Sequence, residues 1–272
     1  MTNMLKFDYH THTFYSYDCS ACVNDMIGRA IELQLTEYAI TDHIDFSYPD
    51  LKILSPEGPE IIMQRMLAAK ELYAGKIKIL CGAEFGLRPD TAQATKAIAE
   101  KIDYDIIIGS AHVDDIQLEG FPNYQFTSYY EKHDAYTIYF ENMLETVKSC
   151  DAFDILGHMD YIKRYAKYDD NSLNYDDYKE IIDEILKTII RKNKGIEVNT
   201  SGYLRGLGHP HPHIDFIKRY IELGGAIITI GSDAHMPSAI AYGYDDMYDI
   251  LNSLGVRYIA AFEKRIPKFI KI

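Results

Sequence analysis

The segment Lys6-Phe7-Asp8-Tyr9-His10-Thr11-His12-Thr13 places two histidines one residue apart at the end of a short apolar run. Residues i and i+2 of an extended segment point to the same side. His10 and His12 are therefore placed to hold one metal ion with two imidazoles. A His-x-His pair alone is more often two surface or hydrogen-bonded histidines. The rest of the chain decides between these interpretations.

Seven short apolar runs recur along the chain, and each stops at a polar residue able to bind a metal ion. The runs are rich in β-branched residues and do not alternate with polar ones, which is typical of parallel strands buried on both faces. They cover residues 5–9, 37–41, 77–83, 104–111, 153–157, 195–198 and 226–232.

Helical patterns lie between these runs. We expect helices over residues 25–35, 59–73, 91–102, 128–150, 175–193, 214–223 and 244–254, and a last short strand at 256–262. Asn24 is suited to cap the first helix, and Pro59 and Gly75 to begin and stop the second. Strand and helix alternate at the spacing of βαβ units, which predicts a closed or nearly closed parallel α/β barrel. No stretch resembles a linker, so residues 1–272 are expected to form one domain.

Barrels of this kind gather their chemistry at the carboxyl ends of the strands. In this sequence those ends carry the candidate ligands His10, His12, Asp18, Asp42, His43, Glu84, His112, His158, Asp233 and His235. Scattered solvated residues would not follow every strand in this way. We therefore expect one shared site.

This set exceeds the roughly four ligands of one tetrahedral ion. Imidazoles and carboxylates without thiolates suit Zn²⁺, Mn²⁺ or Fe²⁺, and a carboxylate such as that of Glu84 has two oxygens with which to bridge two cations. Cations about 3.5–4 Å apart can share a hydroxide, lower the pKa of water towards ~7 and clamp a phosphoryl oxygen. The pattern predicts metal-assisted hydrolysis of a phosphate ester, with a metal-bridging hydroxide as nucleophile and no side-chain acid or base assigned.

Bulk composition narrows the partners and the location. The 272 residues carry a formal net charge of −13, which disfavours a nucleic-acid or anionic-membrane partner. The four cysteines form no secreted disulfide framework. No apolar stretch approaches the ~18 residues of a membrane span. We expect a soluble cytoplasmic protein that acts on a small molecule; oligomeric state is not indicated.

The strand ends carry the motifs His10-Thr-His12, Thr41-Asp42-His43, Gly82-Ala-Glu84, Ser110-Ala-His112, Gly157-His158 and Gly231-Ser-Asp233-Ala-His235. Together and in this order they resemble the polymerase and histidinol phosphatase (PHP) family, over essentially the whole chain. The resemblance implies a distorted, TIM-like (β/α)7 barrel with a trinuclear metal centre at the carboxyl ends of the strands.

The resemblance also implies how two to three divalent ions share the ligands. One ion would be held by His10, His12, Glu84 and Asp233. A second would share Glu84 and add His112 and His158, and a third would be held by Asp18, His43 and His235. Asp18 departs from the family pattern, because some members have a histidine at that place.

Within the family, residues 157–164 and 197–205 resemble the stand-alone histidinol-phosphatase branch. Each segment ends in an arginine, Arg164 or Arg205, for which a surface salt bridge is the other interpretation. A guanidinium suits a phosphate because it is always charged and donates as a bidentate fork. The implied reaction is the hydrolysis of L-histidinol phosphate to L-histidinol and phosphate, in histidine biosynthesis.

Three other functions remain open at this stage. One is a PHP phosphoesterase of different specificity, either a broad phosphatase or a 3′-end nuclease. Another is an amidohydrolase barrel, which also begins with His-x-His but commonly uses a bridging lysine where this chain has His112. The third is a non-catalytic metal-binding module, which the loss of ligands would indicate.

Two further segments are candidates for substrate contact. Residues 208–213 (Gly208-His-Pro-His-Pro-His213) are expected to form a rim loop, with substrate contact by His209 or His211 as the alternative. Residues 113–127 are long for a barrel loop, and are expected either to close over the site or only to cover the barrel end. In the first case a carboxylate would face a substrate amine, the candidates being Asp114, Asp115 and Glu119.

Overall fold

The computed structural model describes residues 7–47, 51–112, 130–166 and 168–272. Within these ranges the main sheet has eight parallel strands in the order β1-β2-β4-β5-β6-β7-β8, with β3 also paired to β4. They are β1 Phe7–Asp8, β2 Glu37–Ile40, β3 His43–Ile44, β4 Lys78–Gly86, β5 Ile106–Ser110, β6 Ile155–Leu156, β7 Gly195–Asn199 and β8 Ile228–Gly231. Because β2 and β3 both run along β4, they act as one interrupted strand. The sheet therefore has seven strand positions.

The first and last strand positions meet along a seam that nearly closes the barrel. The backbone N–H of Tyr9 donates to the carbonyl of Ile230 over 3.1 Å, and the N–H of His12 donates to the carbonyl of Ala234 over 2.9 Å. Asp8 accepts hydrogen bonds across the seam from the N–H and hydroxyl of Ser232, at 2.9 and 2.6 Å. The predicted seven-stranded parallel barrel is confirmed.

Eight α-helices lie among the described residues and alternate with the strands. They are α1 Val23–Glu32, α2 Pro59–Leu72, α3 Ala92–Lys101, α4 Lys132–Ser149, α5 Lys179–Arg191, α6 Ser201–Leu204, α7 Ile214–Glu222 and α8 Tyr244–Ser253. In α5 the buried residues Ile182, Ile185, Leu186 and Ile189 follow the i, i+3, i+4, i+7 spacing of a helix with one apolar face. Such faces cover the outside of the barrel.

The predicted boundaries need small corrections. Cys22, not Asn24, is the N-cap of α1, and the side-chain carbonyl of Asn24 instead accepts from the Tyr73 hydroxyl at 3.2 Å. Residues 175–178 form a 3₁₀ turn before α5 rather than its first turn. The predicted start of α4 at residue 128 lies outside the described residues.

A C-terminal hairpin covers the amino-terminal end of the barrel, opposite the candidate ligands. It consists of β9 Tyr258–Glu263, predicted at 256–262, and β10 Ile266–Lys271, which was not predicted. At its turn, Arg265 pairs with the Asp154 carboxylate at 2.9 Å and donates its backbone N–H to the carbonyl of Asp105 at 2.8 Å. Within the described ranges no helix has the length and apolar composition needed to cross a membrane.

Candidate metal centre

Glu84 lies at the centre of the site, near the carboxyl end of β4, and is fully buried. Its Oε1 atom is 2.9 Å from Nε2 of His158 and 3.3 Å from Nε2 of His112. The same oxygen accepts a hydrogen bond from the Ser110 hydroxyl at 2.5 Å. Two imidazoles, each from the loop after a different strand, therefore converge on one oxygen of this carboxylate.

The other oxygen of Glu84 faces a separate group of ligands. Oε2 lies 3.0 Å from Nε2 of His10 and 3.3 Å from Nε2 of His12. The Asp233 carboxylate closes this group, with Oδ1 at 3.3 Å from the His12 nitrogen and 3.7 Å from the His10 nitrogen. The two oxygens of Glu84 thus belong to two distinct sets of donors.

A third group sits nearer the surface. The carboxylate of Asp18, with 42% of its side chain exposed, lies 3.2 Å from Nε2 of His235 and 3.6 Å from Nε2 of His43. His235 donates its Nδ1–H to the backbone carbonyl of Asp233, 3.0 Å away. This contact leaves Nε2 directed at Asp18. All nine residues expected to bind ions are thereby brought together.

The surroundings of His12 test whether these donors fit a cation. The Ser16 hydroxyl donates its one proton to Asp42 at 2.7 Å, so towards Nδ1 of His12, 3.0 Å away, it can only accept. Nδ1 therefore carries a proton, and in the neutral ring Nε2 presents a lone pair. That nitrogen is buried, has no hydrogen-bond partner within the described part of the chain, and faces two carboxylates. A positive charge is needed there, and ligand atoms around one ion also lie about 3–3.4 Å apart.

A glutamate inside β7 orients His10. Oε1 of Glu197 accepts from Nδ1 of His10 at 2.6 Å, and its Oε2 accepts from the backbone N–H of His158 at 3.3 Å. A side chain at Gly231 would overlap both the Glu197 carboxylate and His10, which explains the glycine in this strand. A carboxylate behind a metal-binding histidine fixes its tautomer and orientation. The sequence reveals Glu197 inside a strand but not this role.

Two aspartates near β3 differ from expectation. Asp42 was among the candidate ligands, yet its oxygens accept from the backbone N–H and hydroxyl of Thr13, at 2.6 and 2.7 Å, and from Ser16. Those hydrogen bonds direct it away from the other candidates. Asp45 was not among the candidates, yet it is buried beside His43 and His112. The pattern His43-x-Asp45, the same i, i+2 spacing as His10-x-His12, is the signal that marks it.

A cavity of about 260 Å³ opens onto these ligands. Both predicted phosphate-binding arginines line it, together with Asp18, His43, Glu84, His112, His158, Tyr161, Tyr165, Asp233 and His235. Arg164 is buried over the ring of Tyr161, at 4.4 Å, and donates to Asp233 and Ser201 at 2.6 Å each. Arg205 is exposed at the rim. Arg164 therefore forms a salt bridge, as the alternative interpretation expected, but with Asp233 and in a buried position.

The histidine-rich loop supports the site from behind. Nδ1 of His211 is 2.5 Å from Asp160, and its Nε2 accepts from Nε of Arg164 at 3.4 Å. His209 lies 3.0 Å from Nζ of Lys163. Neither histidine lines the cavity, so their alternative role as substrate contacts finds no support in the geometry. Residues 113–127, with Asp114, Asp115 and Glu119, lie outside the described residues.

Charge in the site predicts that ion binding depends on pH. Burial opposes protonation of His10, but the carboxylates of Glu197 and Glu84 outweigh it and hold its pKa well above the usual value. Burial is likewise outweighed at His112 by Asp45 and Glu84, so the pKa of His112 is also raised. Burial lowers the pKa of His158 to about 4. In the ion-free protein, therefore, protons compete with cations for His10 and His112.

We expect the affinity for Zn²⁺ to fall as the pH is lowered from 8 to 5, and activity to fall with it below roughly pH 6. For each proton that binding releases, the affinity for Zn²⁺ falls about tenfold for every unit by which the pH is lowered. The protonated forms of His10 and His112 stabilise the ion-free fold at low pH, and that contribution is lost only as pH rises through their raised pKa values. Competition with a chelator measures the affinity, and circular dichroism checks the fold. Equal affinity at pH 5 and pH 8 would contradict the expectation.

Comparison with known proteins places this site in a family. The PHP domain model matches residues 8–201. A "Probable histidinol-phosphatase" of Clostridium acetobutylicum is 32% identical over 97% of this chain and 100% of its own length. The histidinol-phosphatase of Lactococcus lactis subsp. lactis is 28% identical over 95% of each chain.

A solved structure agrees with this placement. The crystal structure of histidinol phosphate phosphatase from Lactococcus lactis subsp. lactis, complexed with zinc, L-histidinol and phosphate, aligns with a TM-score of 0.85 at 25% identity. The alignment covers 97% of this chain and 98% of that chain. The similarity therefore extends over the whole barrel, including the strand ends that carry the site.

Proposed function

This chain belongs to the PHP domain family, in its histidinol-phosphatase branch, and from that premise we propose that it hydrolyses L-histidinol phosphate to L-histidinol and phosphate. The reaction is a step of histidine biosynthesis and makes the protein a metal-dependent phosphomonoesterase. We propose that residues 1–272 act as one such domain.

One observation carries the mechanism: the two oxygens of Glu84 face two separate sets of imidazoles. This arrangement supports a bridging carboxylate between two divalent ions. The cavity beside it is lined by two arginines, which suits a dianionic phosphate ester more than a neutral substrate.

The proposed ligand sets follow the three groups of donors. The first consists of His10, His12, Glu84 and Asp233, the second of Glu84, His112 and His158, and the third of Asp18, His43 and His235. We propose two to three ions of Zn, Mn or Fe, because the donors are imidazole nitrogens and carboxylate oxygens without thiolates. Divalent ions, when bound, supply Lewis acidity towards the phosphoryl oxygens and towards water.

The chain's own residues position the substrate. We propose that Arg205, exposed at the cavity rim, and Arg164, fixed on the ring of Tyr161, bind the phosphoryl oxygens as charge redistributes. His211, whose other ring nitrogen contacts Asp160, accepts from Nε of Arg164 on the side away from the cavity. Arg164 therefore costs little reorganisation during the reaction, because its side chain is already held before substrate binds.

We propose the cytoplasm as the location and a small molecule as the partner. All four cysteines are unpaired, as is usual in a reducing compartment. The net charge of −13 opposes the approach of nucleic acid.

Phosphate release from a panel of substrates tests the proposal. We expect kcat/KM for L-histidinol phosphate to exceed that for glycerol phosphate by about 10²-fold or more, because the amine and imidazole add charged contacts. A chelator should abolish release, and added Zn²⁺ or Mn²⁺ should restore it. Equal rates on all esters would leave a broad phosphatase. Degradation of a single-stranded oligonucleotide from its 3′ end would indicate a nuclease instead.

A further inference from the structure

A buried carboxylate beside the metal centre has no assigned role. Asp45 follows β3 and is 4% exposed, and neither of its oxygens has a hydrogen-bond partner among the described residues. A buried ionised carboxylate is costly unless charges or hydrogen bonds compensate it. Its neighbours therefore indicate what it does.

Two imidazoles flank Asp45, one on each oxygen. Oδ2 lies 3.4 Å from Nδ1 of His43, and Oδ1 lies 3.7 Å from Nδ1 of His112. The Nε2 atom of each ring points away from Asp45, towards another carboxylate. Nε2 of His112 is 3.3 Å from Glu84, and Nε2 of His43 is 3.6 Å from Asp18. Asp45 therefore sits behind two candidate ligands that belong to different groups of donors.

We propose that Asp45 is a positioning residue shared by two ion sites: when ions are bound, it accepts the Nδ1–H of both His43 and His112, and so presents the Nε2 lone pair of each ring to an ion. The inference rests on the proposed metal centre. The same arrangement occurs at His10, where Nδ1 contacts Glu197 and Nε2 contacts Glu84. There one carboxylate serves one ring, whereas Asp45 serves two.

Chemistry favours this role over direct ligation. An ion held by Asp45 and the two Nδ1 atoms would require rings bound to ions through both nitrogens, and each neutral ring would have to lose its one N–H proton and become an imidazolate. A hydrogen bond requires no such loss. Glu84 also lies 3.2 Å from Nδ1 of His43, but as the bridging ligand its oxygens are directed to the ions. Among the residues that the structure describes, Asp45 is then the acceptor that remains for this proton.

The test compares Asp45→Asn and Asp45→Ala with Glu197→Gln, a matched change behind His10. Ion-free proteins are titrated with Zn²⁺ against a chelator. We expect Asp45→Asn to weaken two of the sites by about 10–100-fold each and to leave one unchanged. Glu197→Gln should instead weaken the site that Asp45→Asn leaves intact. Thermal unfolding of the ion-free proteins identifies any variant that fails to fold, and Asp45→Asn keeps the shape of the side chain if Asp45→Ala does not fold.

A spectroscopic measurement reports on the hydrogen bonds themselves. In zinc-loaded protein labelled with ¹⁵N-histidine, we expect Nδ1–H signals from both His43 and His112 that shift or disappear in Asp45→Asn and persist in Glu197→Gln. Unchanged zinc affinities and unchanged signals in both Asp45 variants would overturn the proposal. So would a further zinc ion in the unmodified protein that Asp45→Asn alone removes, because Asp45 would then be a ligand. Neither readout uses a substrate, so failure of the histidinol assignment would be seen separately, in the phosphate-release panel.

Discussion

Glu84→Gln is expected to lower kcat by about 10³-fold or more. Glutamine replaces one carboxylate oxygen with an NH₂ group that has no lone pair for an ion, so one of the two donor sets loses its shared member. Loss of the bridge weakens charge stabilisation in the transition state. A 10³-fold fall in kcat corresponds to a rise of about 4 kcal/mol in the activation free energy. Steady-state phosphate release and elemental analysis measure the two consequences, turnover and bound metal.

Glu197→Gln is the matched control for this variant. Both glutamates are buried and contact His10, but only Glu84 lines the cavity. We expect a smaller loss for Glu197→Gln, about 10–100-fold, since that side chain orients a ligand without being one. Equal activity of Glu84→Gln and the unmodified protein, at the same metal content, would refute the bridging role.

Arg164→Ala is expected to lower both activity and stability, whereas Arg205→Ala should lower activity alone. Arg164 is buried and its guanidinium pairs with Asp233 at 2.6 Å, so truncation leaves a buried carboxylate without its cation. Breaking such a pair costs about 3–5 kcal/mol in the free energy of unfolding. Because each guanidinium is proposed to bind the phosphoryl group, kcat/KM should fall by about 10²-fold or more for every phosphate ester alike.

The contrast between the two arginines separates catalysis from folding. Urea unfolding of the ion-free proteins measures stability. The kcat/KM values on two phosphate esters measure stabilisation of the transition state. If Arg205→Ala retained full activity on both esters, Arg205 would be a surface residue without a role in phosphate binding. If Arg164→Ala lost stability alone, its contribution would be limited to holding Asp233.

The order of most strands and helices was predictable because strands such as β5 are short β-branched runs and helices such as α5 have one apolar face. The four-residue helix α6 was not predicted, because it is too short to show a helical period. The boundary predictions were wrong only in local details of helix and strand ends. Cys22 is the N-cap instead of Asn24 because α1 begins at Val23, and the Asn24 side chain accepts from Tyr73, a contact that joins distant parts of the chain. The strand β10 was missed because it is mostly exposed and contains Pro267, so it shows no run of buried residues.

The candidate site was predictable to the extent that its members follow strand ends. What the sequence leaves open is which oxygen faces which ring. Asp42 and Asp45 lie three residues apart, yet Asp42 is engaged by Thr13 and Ser16 while Asp45 faces two imidazoles. Arg164 was expected to face phosphate, but its burial against Asp233 depends on packing after a different strand. Such distinctions arise from tertiary contacts alone.

The seam between β1 and β8 has a consequence for how the chain is made. Asp8 and Ser232 are 224 positions apart, and His10 faces Asp233 across the same seam. A nascent chain can complete neither the barrel nor the first ligand set until residues beyond 233 have left the ribosome. Until then the edges of β1 and β7 stay unpaired, and open strand edges favour association between chains. An ion bound by the proposed first ligand set would act as a cross-link between the two ends of the polypeptide.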